Sequence, residues 1–437
     1  MVVEKTLDER YISDSRLTVG IWHCALMDIL VPPAELTERI MESTGGNARE
    51  DLARAVATDG IRVVRWMQSV GIRFIKGPME HQSFMLSPPT ISPQGRQSEG
   101  RGGDVMLRTL EEELKKHGGQ ILRGHRALEL KTTGARVTGF SGERSDGRQF
   151  SVATSQAVVI ADGGFQANSE LTRGPVCTDP AKILQRNAAT EKGDGLKMAQ
   201  AVGAAITDLR GFYGHVHSRD ALRSDKLWPY PWLDFLLAGG LIVRSNGKRF
   251  ADEGKGGVDV ANAIAQLANP LDTTVIADEN IWNEGGRMYF LPANPWLEKS
   301  GTTIHKAATP EEFAGKAGLE SAPFLEQVRA YNEAVRNGSR SRLTPPRSTE
   351  KHEAFAIENA PFYAFPAVAG ITYTMGGISI DADARVLMPE GRAIAGLFAV
   401  GCATGGLEGG EKKGYVGGLV KSSVTGLRAA EAILAGT

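Results

Sequence analysis

The segment GGLEGGEKKGYVGGLVKSSVTG, residues 405–426, combines closely spaced glycines with Tyr415 and a Lys-Lys pair before it turns amphipathic. Such glycines form either a flexible tail or backbone that passes close to another group. An apolar stretch precedes the segment and a helix is predicted to begin near Gly418 and Leu419, which favours the second interpretation. The first turn of that helix offers unpaired N–H groups and a positive dipole end to an anionic acceptor.

Three further features favour a nucleotide-type cofactor. In VVIADGGFQAN a predicted buried strand runs to Ala161, and Gly163 follows where backbone can approach a ligand. GLFAVGCATGG repeats this strand-then-glycine arrangement at Gly401. Glu4 ends a short apolar strand, as does the acid that binds the adenosine ribose in dinucleotide-binding folds, although a solvated strand end is the alternative.

Histidines and cysteines offer little evidence for a metal centre. His215 and His217 would face the same side of a strand, as metal ligands can, but no third ligand is evident and we predict no metal site. Cys24, Cys177 and Cys402 are far apart and match neither a disulfide framework nor a C-x2-C metal site. We interpret them as small buried residues in a reducing compartment.

The composition is that of a globular protein large enough for two domains. The 437 residues are 41% hydrophobic and 23% charged, with a formal net charge of −1, which calls for neither nucleic acid nor a membrane surface. The N-terminus shows no signal-peptide pattern, and no segment approaches the roughly 18 uncharged apolar residues of a membrane span. We therefore expect a cytoplasmic protein.

Strand, glycine-loop and helix patterns predict an α/β fold whose first and last segments build one sheet around an insertion. We expect residues 1–195 and 366–437 to form the two parts of one domain, and residues 196–365 an inserted α+β domain. Between residues 125 and 161 the alternation of apolar and polar residues predicts antiparallel strands.

Six ordered motifs are spread along nearly the whole chain: EKTLDERYISDSRLTVG, VVIADGGFQANSEL, EKGDGLKMAQAVGAAI, GLIVRSNGKRFADE, YTMGGISID and GLFAVGCATGG with GYVGGL. Their order resembles the flavoprotein family of fumarate reductases, succinate dehydrogenases, 3-ketosteroid 1-dehydrogenases and tricarballylate dehydrogenases. The resemblance implies a Rossmann-like FAD-binding domain, FAD as the cofactor and an inserted domain that caps the substrate. Tricarballylate-type members look most similar, because their C-terminal loop also carries an aromatic residue before paired glycines.

The resemblance implies an FAD contact at thirteen positions. On the adenosine side these are Glu4 and Lys5 at the ribose and Ala127 at the adenine. The loop along the pyrophosphate and the flavin edge corresponds to Ser13, Ser15, Arg16 and Leu17. Ala161 and Gly163 pass under the nucleotide, Gly401 and Cys402 contact the ribityl chain, and Gly418 and Leu419 face the flavin ring. Cys402 departs from the family, which usually has an acid or an asparagine there.

Two larger departures concern the dinucleotide cradle and the catalytic residues. The family has a strand and a G-x-G-x-x-G turn about thirty residues before the ribose acid, whereas this sequence begins at what resembles the second strand. We therefore expect an FAD-binding domain that is incomplete at its N-terminus, most simply because the start has been placed too late. The family's proton-donating arginine is missing from RFADEGKGG, and its paired histidines are Thr372 and Tyr373 here, which argues against standard fumarate chemistry.

What remains is hydride transfer between the flavin and a C–C bond next to an electron-withdrawing group. This chemistry needs a group that polarises the carbonyl or carboxylate and an acid or base for the second hydrogen. By resemblance, Tyr415 hydrogen-bonds a substrate carbonyl, Tyr373 is a candidate acid or base and His215 contacts the substrate. Packing is the alternative for the tyrosines, and we expect His217 to be a solvated loop residue.

Several cations are candidate anchors for a substrate carboxylate, with solvated surface charge as the alternative: Arg219, Arg244, Lys255, Lys412 and Lys413.

We therefore expect an FAD-dependent oxidoreductase that acts on a CH–CH bond of a small carboxylated or carbonyl-bearing molecule, similar to tricarballylate dehydrogenase, with an unknown electron donor or acceptor. The alternative is an enzyme similar to 3-ketosteroid 1-dehydrogenase with a larger apolar substrate, which the aromatic residues 228–232 would suit. A flavin-free relative that binds a ligand or a partner subunit is the third interpretation.

Overall fold

The computed structural model describes residues 1–90, 98–227, 232–286, 293–349 and 351–436. Four residues of the predicted aromatic stretch, 228–231, therefore lie outside the described residues. The described chain has a mixed α/β fold, as expected.

The strands of the described residues fall into an early, a middle and a late group along the chain. The early group is β1 Val2–Glu4, β2 His23–Cys24, β3 Met27–Asp28, β4 Phe74–Ile75, β5 Met85–Leu86 and β6 Ile121–Arg123. The middle group is β7 His125–Thr133, β8 Arg136–Arg144, β9 Gln149–Ala153, β10 Val158–Ile160, β11 Leu184–Gln185 and β12 Phe212–Ser218. The late group is β13 Leu241–Val243, β14 Thr274–Asp278, β15 His305–Ala307, β16 Phe362–Thr374, β17 Arg385–Leu387 and β18 Ala393–Ala399.

The α-helices of the described residues run from short single turns to twenty residues. The first six are α1 Asp14–Leu17, α2 Pro33–Ser43, α3 Glu50–Ser69, α4 Gly102–Lys116, α5 Ser169–Thr172 and α6 Asp194–Ala201. The others are α7 Asp234–Gly239, α8 Gly257–Ala265, α9 Ala293–Lys299, α10 Pro310–Ala317, α11 Ser321–Arg336 and α12 Gly418–Ala435.

Strand β18, near the C-terminal end of the sequence, joins a sheet with strands from the first part of the chain, as the sequence predicts. It pairs in parallel with β10, and the same sheet continues through β8 to β7, with β9 and β17 at its sides. The strands β7, β8 and β9 are antiparallel, which confirms the prediction for residues 125–153, whereas residues 158–160 pair in parallel with β18. In contrast, β1 pairs in parallel with β6 in a separate two-stranded sheet. Val159 in the middle of β10 is 43% exposed, so the prediction that this strand is buried on both faces is wrong.

A second sheet is formed by the strands that lie in the sequence between β10 and β17. Its order is β11, β16, β14 and β13, with β12 and β15 also paired to β16. The 13-residue strand β16 is almost entirely buried, in keeping with its continuous apolar sequence FYAFPAVAGITYT. The domain boundaries at residues 195 and 365 stay predictions.

Helix α12 packs against α3, and this contact fixes where α12 begins. Apolar residues of α3 at helical spacing, including Leu52, Val56 and Val63, are buried. At Gly60 of α3 a Cβ atom would lie only 3.2 Å from Val420 of α12, so a glycine lets the two helices approach closely. The N-terminus of α12 is thereby held beside the loop that carries Tyr415.

The described residues include neither a helix suited to span a membrane nor a cluster of metal-ligating side chains. None of the described helices, including the 20-residue α3, combines the length and apolar composition of a membrane span. Among the described side chains, no three His, Cys, Asp or Glu residues gather as a metal-binding group.

The pairing of β12 with β16 requires a glycine at position 214. A Cβ atom there would lie 2.0 Å from the Gly370 carbonyl oxygen of the neighbouring strand. We predict that Gly214→Ala lowers the free energy of unfolding by about 1–3 kcal/mol, measured by urea denaturation, because the strands must move apart. The control is Gly315→Ala in α10, where a Cβ atom meets nothing within 4 Å and helix propensity improves. Equal midpoints for the two variants would contradict this account.

Candidate functional site

The three predicted catalytic residues come together around a fourth aromatic residue, Tyr213. Antiparallel pairing of β12 with β16 sets Tyr213 opposite Tyr373, with ring centroids 5.4 Å apart. The loop before α12 lays the Tyr415 ring on the Tyr213 ring at 3.9 Å and 11°. The His215 ring lies edge-on at 5.2 Å from the same tyrosine. We call Tyr213, His215, Tyr373 and Tyr415 the aromatic cluster.

A buried carboxylate, that of Glu408, orders the glycine-rich loop from inside. Its Oε1 atom accepts hydrogen bonds from the Tyr373 hydroxyl at 2.8 Å and from Val416 N–H at 2.9 Å. It also accepts from Gly417 N–H at 3.2 Å, and the Lys421 ammonium donates to Oε2 at 3.3 Å. The side chains of Glu408 and Lys421 are 0% and 1% exposed, so each charge depends on the other for compensation.

The hydroxyl groups of the cluster are neutral donors. Burial, reinforced by the Glu408 carboxylate, raises the pKa of Tyr373 well above its usual value. Burial also raises the pKa of Tyr415, with Tyr213 as the next cause. Cys402, at the edge of the cluster, is a thiol rather than a thiolate, because burial raises its pKa to about 12.

His215 is oriented by a carboxylate that the sequence analysis did not single out. Its Nδ1 atom lies 2.5 Å from Asp234 Oδ2, and its Nε2 atom lies 3.1 Å from the Tyr213 hydroxyl. The imidazole also stacks on Trp232 at 4.5 Å. Burial lowers the pKa of His215 and Asp234 partly opposes that effect, so the ring is neutral at neutral pH.

Tyr415 has a second histidine on its other side. His23 Nε2 lies 3.4 Å from the Tyr415 hydroxyl, and Leu26 N–H donates to His23 Nδ1 at 3.2 Å. Burial, with His81 as a smaller cause, lowers the pKa of His23 to about 3 and keeps it neutral. Since Nδ1 accepts a hydrogen bond, the proton of this ring sits on Nε2.

Arg186 is the cation beside the cluster. Its guanidinium lies 4.8 Å from the Trp232 ring centroid and donates to the Thr372 hydroxyl at 2.7 Å. Its charge also lowers the pKa values of Tyr213 and His215, although burial is the largest influence on both. The half-buried Arg186 is therefore a better candidate for a carboxylate anchor than the cations proposed from sequence.

Two of those cations, Arg219 and Arg244, are engaged elsewhere. Arg219 donates to the Thr273 carbonyl at 2.7 Å and Arg244 pairs with Asp272 at 3.2 Å. Lys255 and Lys412 are exposed, and Lys413 is half-buried.

His217 was expected to be a solvated loop residue, and that prediction is wrong. It lies in β12, is 0% exposed, and neither ring nitrogen has a hydrogen-bond partner among the described residues. A Cβ atom at Gly370 would lie 2.6 Å from its ring, so the imidazole packs directly on the neighbouring strand. Burial lowers the pKa of His217 well below its usual value.

The predicted cofactor residues near the N-terminus lie on β1 and α1. Glu4 is half-buried and accepts from Thr6 N–H at 2.8 Å, while the Lys5 ammonium donates to the Thr190 carbonyl. The Ser13 hydroxyl caps α1 by accepting from Arg16 N–H. The Arg16 side chain is 2% exposed and pairs with Asp104, so it points into the protein interior. Ser15 and Ala127 are half-buried and Leu17 is buried.

Most of the remaining predicted cofactor residues are glycine or alanine, which leave the backbone accessible to a ligand. Ala161 is exposed, and Gly163 has φ +81°, a conformation that favours glycine. Gly401 has φ +64°. Gly418 and Leu419 open α12, which has no side-chain N-cap, and are half-buried. A Cβ atom at Gly418 would lie 3.3 Å from the Tyr373 ring.

These segments converge in space. Asp14 accepts from Gln166 Nε2 at 3.2 Å, which ties α1 to the glycine turn after β10. The Cys402 thiol experiences the charges of Asp14 and Glu191 as well as those of Glu408 and Lys421. Glycine backbone and an uncapped helix N-terminus at one place suit an anionic, planar cofactor such as FAD, so the residues present fit that group.

Comparisons with known proteins identify the family of the chain. A family model described as "FAD binding domain" matches residues 32–416, which is most of the chain. The chain belongs to this family. FAD is therefore its cofactor, and the resemblance seen in the sequence motifs is confirmed at the level of the family.

Three relatives illustrate the match. NADH:acrylate oxidoreductase of Vibrio harveyi is 28% identical over 379 residues, covering 83% of this chain and 35% of the relative. A 4-oxocyclohexanecarboxylate 2-dehydrogenase of Sinomonas cyclohexanicum is 30% identical over 308 residues, covering 62% of this chain and 49% of the relative. The open conformation of a flavocytochrome c3 fumarate reductase shares the fold, with a TM-score of 0.69, 21% identity, and coverage of 100% of this chain and 74% of that chain. The chain thus spans half or less of the length of the two curated relatives.

Sequence reasoning missed Tyr213, Asp234, Arg186, Glu408 and Lys421. A signal was available for Glu408, which is an acid between two glycine pairs in a loop expected to be closely packed. Tyr213 also precedes His215 at a spacing of two, which sets both on one face of a strand. Nothing local marks Arg186 or Asp234.

The Glu408–Lys421 pair generates a test of stability. We predict that Glu408→Gln lowers the free energy of unfolding by about 3–5 kcal/mol, because the Lys421 ammonium stays buried without a counter-charge. Adding Lys421→Met to that variant should restore part of the loss, since neither charge is then buried alone.

Urea unfolding of both variants checks this prediction. The control is Glu358→Gln, whose partner Arg336 is 62% exposed and whose removal should cost less than about 1 kcal/mol. If Glu408→Gln costs no more than this control, the buried pair does not hold the loop.

Proposed function

We propose that this chain is an FAD-dependent oxidoreductase that transfers hydride between the flavin and a C–C bond next to a carboxylate or carbonyl of a small organic acid. One observation carries the proposal: the hydroxyls of the aromatic cluster and the Arg186 guanidinium lie together beside the glycine N-terminus of α12. Such a site offers an anchor for an anion and groups that exchange protons.

The residues have distinct roles in this proposal. FAD, when bound, supplies hydride transfer. The glycines at 163, 401 and 418 let backbone contact the cofactor, and the α12 N-terminus stabilises negative charge on it. Arg186 binds the substrate carboxylate, and the neutral Tyr415 hydroxyl, which burial keeps protonated, exchanges a proton with the substrate.

The names of the curated relatives support a small carboxylate. Acrylate and 4-oxocyclohexanecarboxylate both carry one carboxylate on a compact carbon skeleton. The half-buried guanidinium of Arg186 favours an anionic substrate over a neutral 3-ketosteroid, because its planar donors match a carboxylate in paired, charge-assisted hydrogen bonds. Tricarballylate fits the same chemistry and stays one candidate among these acids.

The test uses the full chain reconstituted with FAD. We expect a flavin absorption spectrum, bleaching of the oxidised flavin by 4-oxocyclohexanecarboxylate or tricarballylate, and reoxidation of the reduced flavin by acrylate or fumarate. A preparation that stays colourless after FAD addition would support the flavin-free alternative. Bleaching by a 3-ketosteroid and by none of the acids would instead favour the steroid-type enzyme.

Arg186 provides a second test of the same proposal. We predict that Arg186→Gln raises KM for the carboxylate substrate about 10- to 100-fold, the value of a charge-assisted hydrogen bond, with a smaller change in kcat. Steady-state kinetics measure both parameters. Arg244→Gln, which removes the partly exposed pair with Asp272, is the control and should leave KM unchanged. An unchanged KM in Arg186→Gln would exclude this residue as the anchor.

A further inference from the structure

Five side chains form a continuous line of polar contacts through the aromatic cluster: His23, Tyr415, Tyr213, His215 and Asp234. His23 Nε2 is 3.4 Å from the Tyr415 hydroxyl, and the Tyr415 ring stacks on the Tyr213 ring at 3.9 Å, which brings the two hydroxyls close enough for each to shift the pKa of the other. Tyr213 Oη lies 3.1 Å from His215 Nε2, and His215 Nδ1 lies 2.5 Å from Asp234 Oδ2.

The two ends of the line fix the direction of its hydrogen bonds. At one end Leu26 N–H occupies His23 Nδ1, so Nε2 carries the proton and donates to Tyr415. At the other end the Asp234 carboxylate can only accept, so His215 Nδ1 carries the proton and His215 Nε2 is an acceptor.

Tyr213 must then donate to His215, and Tyr415 must donate to Tyr213. All four bonds point toward Asp234, and the Val216 N–H, which donates to Asp234 Oδ1 at 2.8 Å, holds the carboxylate in place.

We propose that Tyr415, Tyr213 and His215 are a proton relay that removes a proton from the substrate, with Asp234 as the positioning residue of His215. The inference rests on the proposed function and deepens it, because the resting relay is arranged to accept a proton and therefore suits the dehydrogenation direction. Tyr415 keeps one lone pair for the incoming proton, since among the described residues its oxygen accepts only from His23.

One C–H bond of the substrate breaks, its proton goes to Tyr415 Oη, and its electron pair forms the new C=C bond. The Tyr415 proton moves to Tyr213, and the Tyr213 proton moves to His215 Nε2, which leaves an imidazolium paired with the Asp234 carboxylate. The adjacent carbon loses hydride, with two electrons, to the oxidised FAD of the proposed function.

The surroundings of His215 set the cost of this imidazolium. Asp234 favours the charged ring, whereas burial and the Arg186 guanidinium disfavour it, and burial keeps the adjacent His217 neutral. Trp232 stacks on the His215 ring, and the Glu408 carboxylate raises the pKa of the neighbouring Tyr213. The Asp234 carboxylate is therefore the group on which protonation of the relay depends.

The hydrogen-bond direction can be tested without activity. In the protein labelled with 15N-histidine, NMR should show His23 as the Nε2–H tautomer and His215 as the Nδ1–H tautomer, each assigned by loss of signal in a His→Gln variant. In Asp234→Asn the His215 tautomer should become mixed, because the carboxylate no longer selects Nδ1–H. An Nε2–H tautomer of His215 in the unmodified sequence would overturn the relay.

Kinetics test the proton transfer itself. Tyr213→Phe removes one hydroxyl and keeps the ring, so we expect flavin reduction by saturating substrate to slow about 100-fold or more with little change in KM. The matched control is Tyr363→Phe, another buried tyrosine of the second sheet, whose hydroxyl contacts Glu279 and whose ring stacks on Trp282. This control should reduce its flavin at the unmodified rate.

The pH profile gives a further readout that a purely structural role would not change. The relay needs neutral His215, whose pKa is below its usual value, so flavin reduction should be constant above pH 6.5 and fall at lower pH. Asp234→Asn should move this fall to lower pH, because imidazolium loses its counter-charge. Failure of the unmodified protein to oxidise any tested acid contradicts the proposed function, whereas turnover that is equal in Tyr213→Phe and Tyr363→Phe contradicts the relay alone.

Discussion

The site depends on one electrostatic constraint, which is that the Glu408 carboxylate is buried and must be compensated on all sides. Lys421 supplies the charge, and the Tyr373 hydroxyl and two backbone N–H groups of the glycine-rich loop supply the hydrogen bonds. A buried ion pair of this kind is a poor source of stability compared with an apolar core. We infer that its effect is specificity, because the observed loop path brings all of these donors to one carboxylate.

The same loop path explains how distant parts of the chain act together. Tyr415 reaches Tyr213 because the loop is fixed from within, and Tyr213 reaches Tyr373 because β12 and β16 pair in one register. A β-bulge between Tyr213 and Gly214 shifts the pairing of β12 with β16 at that point. A Cβ atom at position 214 would lie 2.0 Å from the Gly370 carbonyl oxygen, so this position needs a glycine. The positions of the cluster side chains thus depend on the backbone of the glycine-rich loop and on the pairing of β12 with β16.

The sequence predicts the local features of this protein well, because a strand followed by glycines is a pattern of neighbouring residues. It therefore located the turn at Gly163, the start of α12 and the candidate Tyr415. The partners of those residues could not be predicted. Asp234 meets His215, and Arg186 meets Trp232, only through the pairing and packing of the second sheet, for which no spacing in the sequence gives a signal. The buried position of His217 was missed for the same reason.

The internal anchoring of the glycine-rich loop also has an entropic consequence. Fixing one backbone residue costs roughly 1–2 kcal/mol in conformational entropy at 25 °C, and glycine loses more freedom than any other residue. If such a glycine-rich loop became ordered only when a ligand bound, the entropy cost of ordering it would weaken ligand binding. Here Glu408 orders the loop during folding, so the free energy of binding is not spent on arranging Tyr415 and the helix N-terminus.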